Sequence, residues 1–312
     1  MMRSRLLSRL ILVAIVLPLA GLLNPTPTSA QQIGATSFLV TASWLAQLGS
    51  SPDIVVVDAR PADVFAQGHI PGAVNLPWQS LATRSSEEIE TGPWHDRTVE
   101  QLGALGINPR NIVVSYDDNG NIFSARVRWA LKHLGQERAV LLDGGLSAWT
   151  KLGQPTTTEA TTRTATTYTG TTDPERLATA KYILDRLGSP DIQILDVRTR
   201  AMYTGEDPGT FKRSGHIPTA LHLDWVNNVQ AESPKSFKSV AEMQALYDGI
   251  GLDRNKEIIV YCNGGVWSAN TLFVLEMLGY PRVRLYSASW GEWGNRDDLP
   301  IAIGPEPGTA PR

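Results

Sequence analysis

The chain has a single cysteine among its 312 residues, and this scarcity excludes several classes of protein. One thiol cannot form a disulfide within the chain, so a scaffold stapled by disulfides is excluded. None of the five histidines stands at a metal-ligand spacing from Cys262, so we predict no metal site and no cofactor. The net charge of −3 comes without a long basic run. We therefore expect no nucleic-acid partner, because phosphate binding needs clustered lysine and arginine.

The apolar run near the N-terminus is short for a membrane span, which needs about 20 residues. Arg3, Arg5 and Arg9 precede the run Leu10–Leu23, and a polar stretch follows it. This pattern predicts a signal peptide over residues 1–30. We expect export to the periplasm or the exterior, with no stable membrane insertion after cleavage. An uncleaved N-terminal membrane anchor is the alternative.

The remaining chain repeats itself once. Residues 112–135, IVVSYDDNGNIFSARVRWALKHLG, match residues 258–279, IIVYCNGGVWSANTLFVLEMLG. Tyr116 and Tyr261 stand at equivalent places in the two copies, 145 residues apart. A period of this size is that of a whole domain and not of a solenoid repeat. The sequence therefore predicts two copies of one domain.

A threonine-rich segment separates the two copies. Eleven of the seventeen residues at 156–172 are threonine, and such a composition cannot bury a core. We predict an extended connector, and a strand at a sheet edge is the alternative because threonine favours strands. The predicted organisation is a signal peptide at 1–30, an N-terminal domain at 31–155, the linker at 156–172, a C-terminal domain at 173–304 and a tail at 305–312.

Within each copy, short apolar runs alternate with helical patterns. DIVVVDAR and DIQILDVR are typical of strands that are buried on both faces, as are NIVVSY and EIIVYC. ARVRWALKHLG and SANTLFVLEMLG have helical spacing and stop at a glycine, as helix C-termini do. This alternation predicts an α/β fold in which each domain is a mostly parallel sheet with helices on both faces.

The lone cysteine stands at the end of a predicted strand, directly before a helix. In open α/β sheets, ligands bind outside the carboxyl ends of the strands. Gly264 and Gly265 allow successive N–H groups to turn toward one point, and a helix N-terminus behind such a nest favours an anion. The same field stabilises a thiolate, which is the nucleophilic form of cysteine. We therefore predict that Cys262 is catalytic; the predicted binding loop is Asn263, Gly264, Gly265, Val266, Trp267 and Ser268.

Several motifs, in this order, make the chain similar to the tandem-domain rhodanese family of sulfurtransferases. They are FAQGHIPGA (65–73), SGHIPTA (214–220), YCNGGVWSA (261–269) and YSASWGEWG (286–294). The resemblance covers about residues 38–303. It implies that only the C-terminal copy is catalytic. Cys262 would take a sulfane sulfur from a small anionic donor, hold it as a persulfide and pass it to an acceptor such as cyanide or a thiol.

The first copy serves as an internal control for the second. Where the second copy has Cys262, the first has Asp117, and a carboxylate cannot carry a persulfide. Features shared by both copies are then structural. The shared features are two GHIP histidines, interpreted as turn residues bonded to backbone, and two Asp–Arg pairs, interpreted as buried ion pairs: His69, His216, Asp58 with Arg60, and Asp196 with Arg198.

The second copy alone has an insertion after its Asp–Arg pair. It carries three basic residues that could meet an anionic substrate above the thiolate, Arg200, Lys212 and Arg213, and a solvated surface loop is the alternative. The cysteine loop itself has no basic residue, unlike the CRKG-type loop of thiosulfate-using relatives. It is more similar to the CGSG-type loop of mercaptopyruvate-using relatives, although Met202 stands where that branch has an arginine. The donor therefore stays open.

Two other classes of protein are alternatives to a sulfurtransferase. A cysteine phosphatase needs an arginine at the end of the loop to clamp phosphate, and Ser268 stands there, so that class is set aside. A binding or sulfur-carrier module that holds an anion or persulfide without turnover is the remaining alternative. The uncharged loop and Trp267 are compatible with it.

Overall fold

A computed structural model describes residues 38–310 of the chain, so the predicted signal peptide at 1–30 lies outside the described residues. The first domain is built on a five-stranded sheet in the order β1-β5-β4-β2-β3, and every neighbouring pair is parallel. Its strands are β1 (Leu39–Val40), β2 (Ile54–Asp58), β3 (Val74–Asn75), β4 (Ile112–Tyr116) and β5 (Ala139–Leu142). Its helices are α1 (Ala42–Leu48), α2 (Ala62–Gln67), α3 (Ser86–Glu90), α4 (Pro93–Ala104), α5 (Ile122–His133) and α6 (Gly145–Lys151).

The second domain has the same strand order, β6-β10-β9-β7-β8, again with parallel neighbours. Its strands are β6 (Leu177–Ala178), β7 (Ile192–Asp196), β8 (Leu221–His222), β9 (Glu257–Tyr261) and β10 (Val283–Tyr286). Its helices are α7 (Ala180–Leu184), α8 (Arg200–Thr204), α9 (Val240–Gly249), α10 (Trp267–Met277) and α11 (Ser289–Trp293). The predicted α/β fold with two duplicated sheets is confirmed.

The two predicted long helices end where their glycines require. α5 and α10 stop just before Gly135 and Gly279, which have φ of +80° and +79°. This left-handed conformation is easily reached only without a side chain, so each glycine ends its helix. α5 begins at Ile122 and α10 at Trp267, each shortly before the first residue of the pattern that predicted it (Ala125 and Ser268).

Each sheet is buried on both faces, and one of these faces is shared between the domains. In β2, Val55 and Val57 belong to the shared core whereas Ile54 and Val56 belong to a separate core. This division follows from the two-residue period of a strand. The shared core contains residues of both domains and includes the edge-to-face contact of Phe38 with Phe273, whose ring centroids are 6.2 Å apart. Helices α5 and α10 pack against each other across this interface.

The threonine-rich segment 156–172 lies along the first domain. Thr157 forms an isolated antiparallel bridge with His69, and no longer strand occurs within 156–172. The backbone N–H of Thr166 donates to the carbonyl of Gly103 over 2.9 Å. Tyr168 is buried, and its hydroxyl donates to the carbonyl of Leu134 over 3.2 Å. The segment is thus fixed by backbone carbonyls of the first domain.

Candidate active site

Cys262 follows the last residue of β9 and is 1% exposed. Ile258 and Val260 lie four and two residues before Cys262, on the same face of the strand, and all three side chains belong to the core between the domains. The thiol therefore points toward the first domain and away from the outer face of its own sheet. The backbone N–H of Cys262 donates to the hydroxyl of Ser289 over 3.1 Å, and its carbonyl accepts from the N–H of Trp290 over 2.9 Å. These bonds tie the base of the loop to the start of α11.

The loop between the thiol and α10 is short and tightly packed. Gly265 has φ of +79°, and a Cβ built on it would lie 2.5 Å from the carbonyl oxygen of Ser287. Any larger residue would therefore displace the loop. The N-terminus of α10 follows at Trp267, and its partial positive charge favours a negative charge on the thiol. The hydroxyl of Ser268 donates to the sulfur of Cys262 over 3.4 Å.

The equivalent loop of the first domain has a carboxylate at the position of the thiol. Asp117 is fully buried and accepts four backbone N–H bonds of 2.7 to 3.0 Å. The donors are Asn119, Asn121, Phe123 and Ser124. The amides of this loop thus converge on one carboxyl group; burial raises the pKa of Asp117, and the bonds from the backbone act in the opposite direction.

The loop of the second copy has the same length, but its backbone departs from that of the first copy after the shared glycine: Asn121 is left-handed with φ of +60°, whereas Val266 has φ of −91°. Gly120 and Gly265 occupy equivalent positions with φ of +70° and +79°. Counting the same offsets from Cys262 leads to the amides of Gly264, Val266, Ser268 and Ala269. A thiolate or a persulfide at Cys262 would stand where the first copy has its carboxylate.

A cavity of about 350 Å³ opens at the thiol, and both domains line it. The first domain contributes Trp78 and Phe123, whose rings are stacked 5.3 Å apart. The second contributes Trp267 together with residues of the cysteine loop: Cys262, Asn263, Gly264 and Val266. No charged side chain lines this cavity in the described part of the chain. An anion entering it would meet aromatic walls and backbone amides.

A larger cleft of about 490 Å³ lies elsewhere between the domains. Its charges are paired with one another: Arg128 and Arg176 both contact the carboxylate of Glu276. The residues that line this cleft include no cysteine and no serine.

The three basic residues predicted as anion contacts do not line the cavity. Lys212 is paired with Asp297. Arg200 donates to the carbonyl of Pro305 over 3.3 Å. Arg213 uses its two terminal nitrogens to donate to main-chain carbonyls of Trp293 and Leu299 over 2.8 and 2.7 Å. The cations of the insertion thus hold its loop against the end of α11 and the residues that follow it.

The interpretation of the shared histidines as structural is confirmed. His69 contacts the carbonyl oxygens of Phe65 and Glu159 at 3.0 and 3.1 Å. His216 contacts the carbonyl oxygen of Tyr203 at 2.8 Å, and burial lowers the pKa of His216. Both rings lie against backbone and neither lines the cavity.

The two Asp–Arg pairs are buried ion pairs, as predicted. Arg60 and Arg198 each lie 2.6 Å from the carboxylate two residues earlier in the chain. Each arginine also donates to the carbonyl of the glycine before the GHIP histidine, Gly68 or Gly215. The pairs therefore brace the loops that follow β2 and β7.

Sequence reasoning missed what the first domain contributes to the site. Trp78 and Phe123 line the cavity, and the guanidinium of Arg126 lies behind the cysteine loop. A signal was present for Arg126, since this arginine stands between apolar helix positions and the second copy has only uncharged residues, Asn270 and Thr271, at the equivalent place. The assumption that the first copy is only a control hid it.

Among residues 38–310, no three His, Cys, Asp or Glu side chains are grouped as metal ligands. Within the same residues, no helix combines the length and the apolar character needed to cross a bilayer.

The fold and this site define a member of the rhodanese family. The Rhodanese-like domain model matches the chain twice, at residues 41–152 and 179–296, and the chain belongs to that family. These two matches fall within the predicted domains, whose boundaries stay a prediction.

Two curated relatives are similar over nearly their whole length. The chain is 32% identical to the thiosulfate sulfurtransferase of Azotobacter vinelandii over 254 residues, which cover 81% of this chain and 93% of the relative. It is also 32% identical to the 3-mercaptopyruvate sulfurtransferase of Escherichia coli K12 over 280 residues, which cover 86% and 98%. Among solved structures, wild-type EanB superposes with a TM-score of 0.73 at 23% identity, covering 86% of this chain and 69% of EanB, and shows the same fold.

Proposed function

We propose that this protein is a sulfurtransferase that carries sulfane sulfur as a persulfide on Cys262. The relatives support sulfurtransferase activity as the general class. The observation that carries the mechanism is the pair of loops: four amides surround the carboxyl group of Asp117 in the first copy, and Cys262 is the residue at the equivalent sequence position in the second. The loop that would stabilise a thiolate would also stabilise the negative outer sulfur of a persulfide.

The reaction consists of two displacements at sulfur. The thiolate of Cys262 attacks the outer sulfur of the donor, a new S–S bond forms, and the donor's bond to that sulfur breaks with its electron pair. With thiosulfate the leaving group is sulfite. With 3-mercaptopyruvate the leaving carbon takes up a proton and becomes the methyl group of pyruvate. A cyanide or thiolate acceptor then attacks the outer sulfur, and the cysteine leaves as a thiolate.

We propose a small anionic donor, thiosulfate or 3-mercaptopyruvate, as the substrate class. Its charge would be met by the amides of the cysteine loop and the N-terminus of α10, because the cavity has no cationic lining. The relatives of equal identity act, by their names, on one donor each. A direct comparison of the two donors decides between them.

The first experiment is intact-mass measurement of the purified protein after brief exposure to each donor. The proposal predicts a gain of one sulfur atom in the wild type and none in Cys262→Ser, which keeps the size of the side chain but cannot store sulfane sulfur. Because the chain has no other thiol, the added mass has one possible location among cysteines. Sulfur gain in Cys262→Ser, or none in the wild type with either donor while the thiol is still titratable, would contradict the mechanism.

The alternative function is a sulfur carrier that loads once and waits for a partner. The aromatic lining of the cavity by Trp78, Phe123 and Trp267 favours it, because no side chain there offers a proton or a charge to a small acceptor. Steady-state assays with cyanide and with a thiol acceptor separate the two functions. An enzyme continues to release product, whereas a carrier gives a single burst equal to the protein concentration.

We further propose that the protein is exported, from the basic and apolar pattern at residues 1–30. N-terminal sequencing of the protein from fractionated cells tests this proposal. A mature N-terminus near residue 31 in the extracytoplasmic fraction would support it. A full-length chain in the membrane fraction would favour the anchor, and one in the cytoplasm would contradict export.

A further inference from the structure

Arg126 is a fully buried cation in the middle of α5 of the first domain. Its Nη2 donates to the carbonyl of Leu81 over 2.7 Å. Its guanidinium carbon lies 4.6 Å from the ring centroid of Trp129. These contacts hold the guanidinium in one orientation, but neither supplies a negative charge.

Among the described residues, no carboxylate lies within ion-pair distance of Arg126. Its Nε and Nη1 are buried and have no acceptor in residues 38–310. Arg128, two residues along the same helix, has the carboxylate counterion that a buried arginine usually has: its Nη1 lies 2.6 Å from Glu276. Burying an arginine without a counterion is costly, so an arginine kept in this state needs an anion from outside its own domain.

The free side of this guanidinium faces the cysteine loop of the second domain. A Cβ built on Gly265 would lie 3.1 Å from Nη1 of Arg126, so the charged nitrogen lies directly against the loop. Burial lowers the pKa of Arg126 to about 10, and the negative charge of a Cys262 thiolate acts in the opposite direction. The guanidinium is therefore still protonated at neutral pH.

The other titratable group near Arg126 carries no charge at neutral pH. His133 lies two turns further along α5, and burial lowers its pKa to about 4, with Arg126 contributing in the same direction.

We propose that Arg126 is a positioning residue of the cysteine site, which supplies from the first domain the cationic charge that the loop of the second domain lacks. This inference rests on the proposed function. Its fixed charge favours the thiolate over the thiol and stabilises the anionic persulfide that follows. The second copy has uncharged residues at the equivalent place, Asn270 and Thr271, so one copy holds the nucleophile and the other holds its counter-charge.

The test is the pH profile of alkylation of Cys262 by iodoacetamide in the wild type, Arg126→Lys and Arg126→Met. The reagent reports on one site because the chain has one cysteine. We expect Arg126→Met to move the midpoint of the profile upward by about one pH unit or more, which lowers the alkylation rate at pH 6 about tenfold. Arg126→Lys keeps the charge and should recover most of the shift. The matched control is Arg128→Met, which should leave the midpoint in place because its charge is paired with Glu276.

Thermal melts separate this role from a structural one. Removing a buried charge that has no partner should leave the melting temperature of Arg126→Met close to that of the wild type. An unshifted midpoint in Arg126→Met would overturn the inference. Failure of both Arg126 variants to fold would also overturn it, because Arg126 would then be needed for the fold itself.

Sulfur loading, measured by intact mass, distinguishes failure of this inference from failure of the proposed function. Persulfide formation by a wild type whose midpoint does not depend on Arg126 would keep the function and reject the inference. The opposite result is also possible: the alkylation midpoint shifts in Arg126→Met, but the wild type never gains sulfur. Arg126 would then still be the counter-charge of Cys262, and sulfur transfer would be rejected.

Discussion

The four backbone N–H bonds to Asp117 should contribute measurably to the free energy of unfolding. The Asp117→Asn variant keeps the size of the side chain. Its NH2 group, however, replaces an oxygen that accepts two backbone N–H bonds in the wild type, and an NH2 group cannot accept them. The carboxylate accepts two bonds on each oxygen, so the variant loses two of the four. Hydrogen bonds to a charged group contribute about 1.5–3 kcal/mol each, so we expect a loss of about 3–6 kcal/mol in the free energy of unfolding.

The neighbouring carboxylate provides a matched control for this change. Asp118 is 41% exposed, and its oxygen lies 3.4 Å from Nη1 of Arg60. Exposed ion pairs contribute about 0–1 kcal/mol, so Asp118→Asn should be nearly neutral. Urea unfolding followed by tryptophan fluorescence compares the two variants with the wild type.

The result that would refute the reasoning is an equal effect of the two substitutions. A loss of less than about 1 kcal/mol in Asp117→Asn would mean that the amides of this loop have no preference for an anion. Stabilisation of a thiolate at Cys262 by the amides of its own loop would then have no support, because it is inferred from the equivalence of the two loops.

Three further substitutions test the loop and its surroundings. Gly265→Ala should lower the free energy of unfolding by more than about 2 kcal/mol and should slow sulfur loading. An alanine at φ of +79° costs about 1–2 kcal/mol, and its methyl carbon would lie 2.5 Å from the carbonyl oxygen of Ser287. Gly264→Ala has open space around the new methyl group and should melt near the wild-type temperature, and equal melting temperatures for the two variants would contradict this account. Lys212→Met should leave the rate of sulfur loading from thiosulfate within about twofold, because its ammonium is exposed and paired with Asp297. A decrease of about tenfold in the rate of sulfur loading, measured by time-resolved mass spectrometry, would instead indicate that Lys212 contacts the substrate.

The local pattern of the sequence was sufficient for the central strands and the long helix of each domain. Doubly buried strands, helices that stop at Gly135 and Gly279, and the order of strand and helix are all properties of neighbouring residues. The duplication was visible as a repeat, and comparison of the copies separated the buried Asp–Arg pairs and the turn histidines from the lone thiol. These inferences hold because each depends on backbone preferences and residue spacing within one copy.

The tertiary structure decided the surroundings of the thiol. Trp78, Phe123 and Arg126 are more than a hundred residues from Cys262 in the chain, and they reach it only because the two sheets share one core. Arg200 and Lys212 are nearer in sequence and carry the expected charge, yet their partners lie beyond α11. Spacing predicts which residues share an element. Which charges and rings face a buried thiol depends on how two domains pack, and that packing is set by the summed burial of many side chains and not by any local motif.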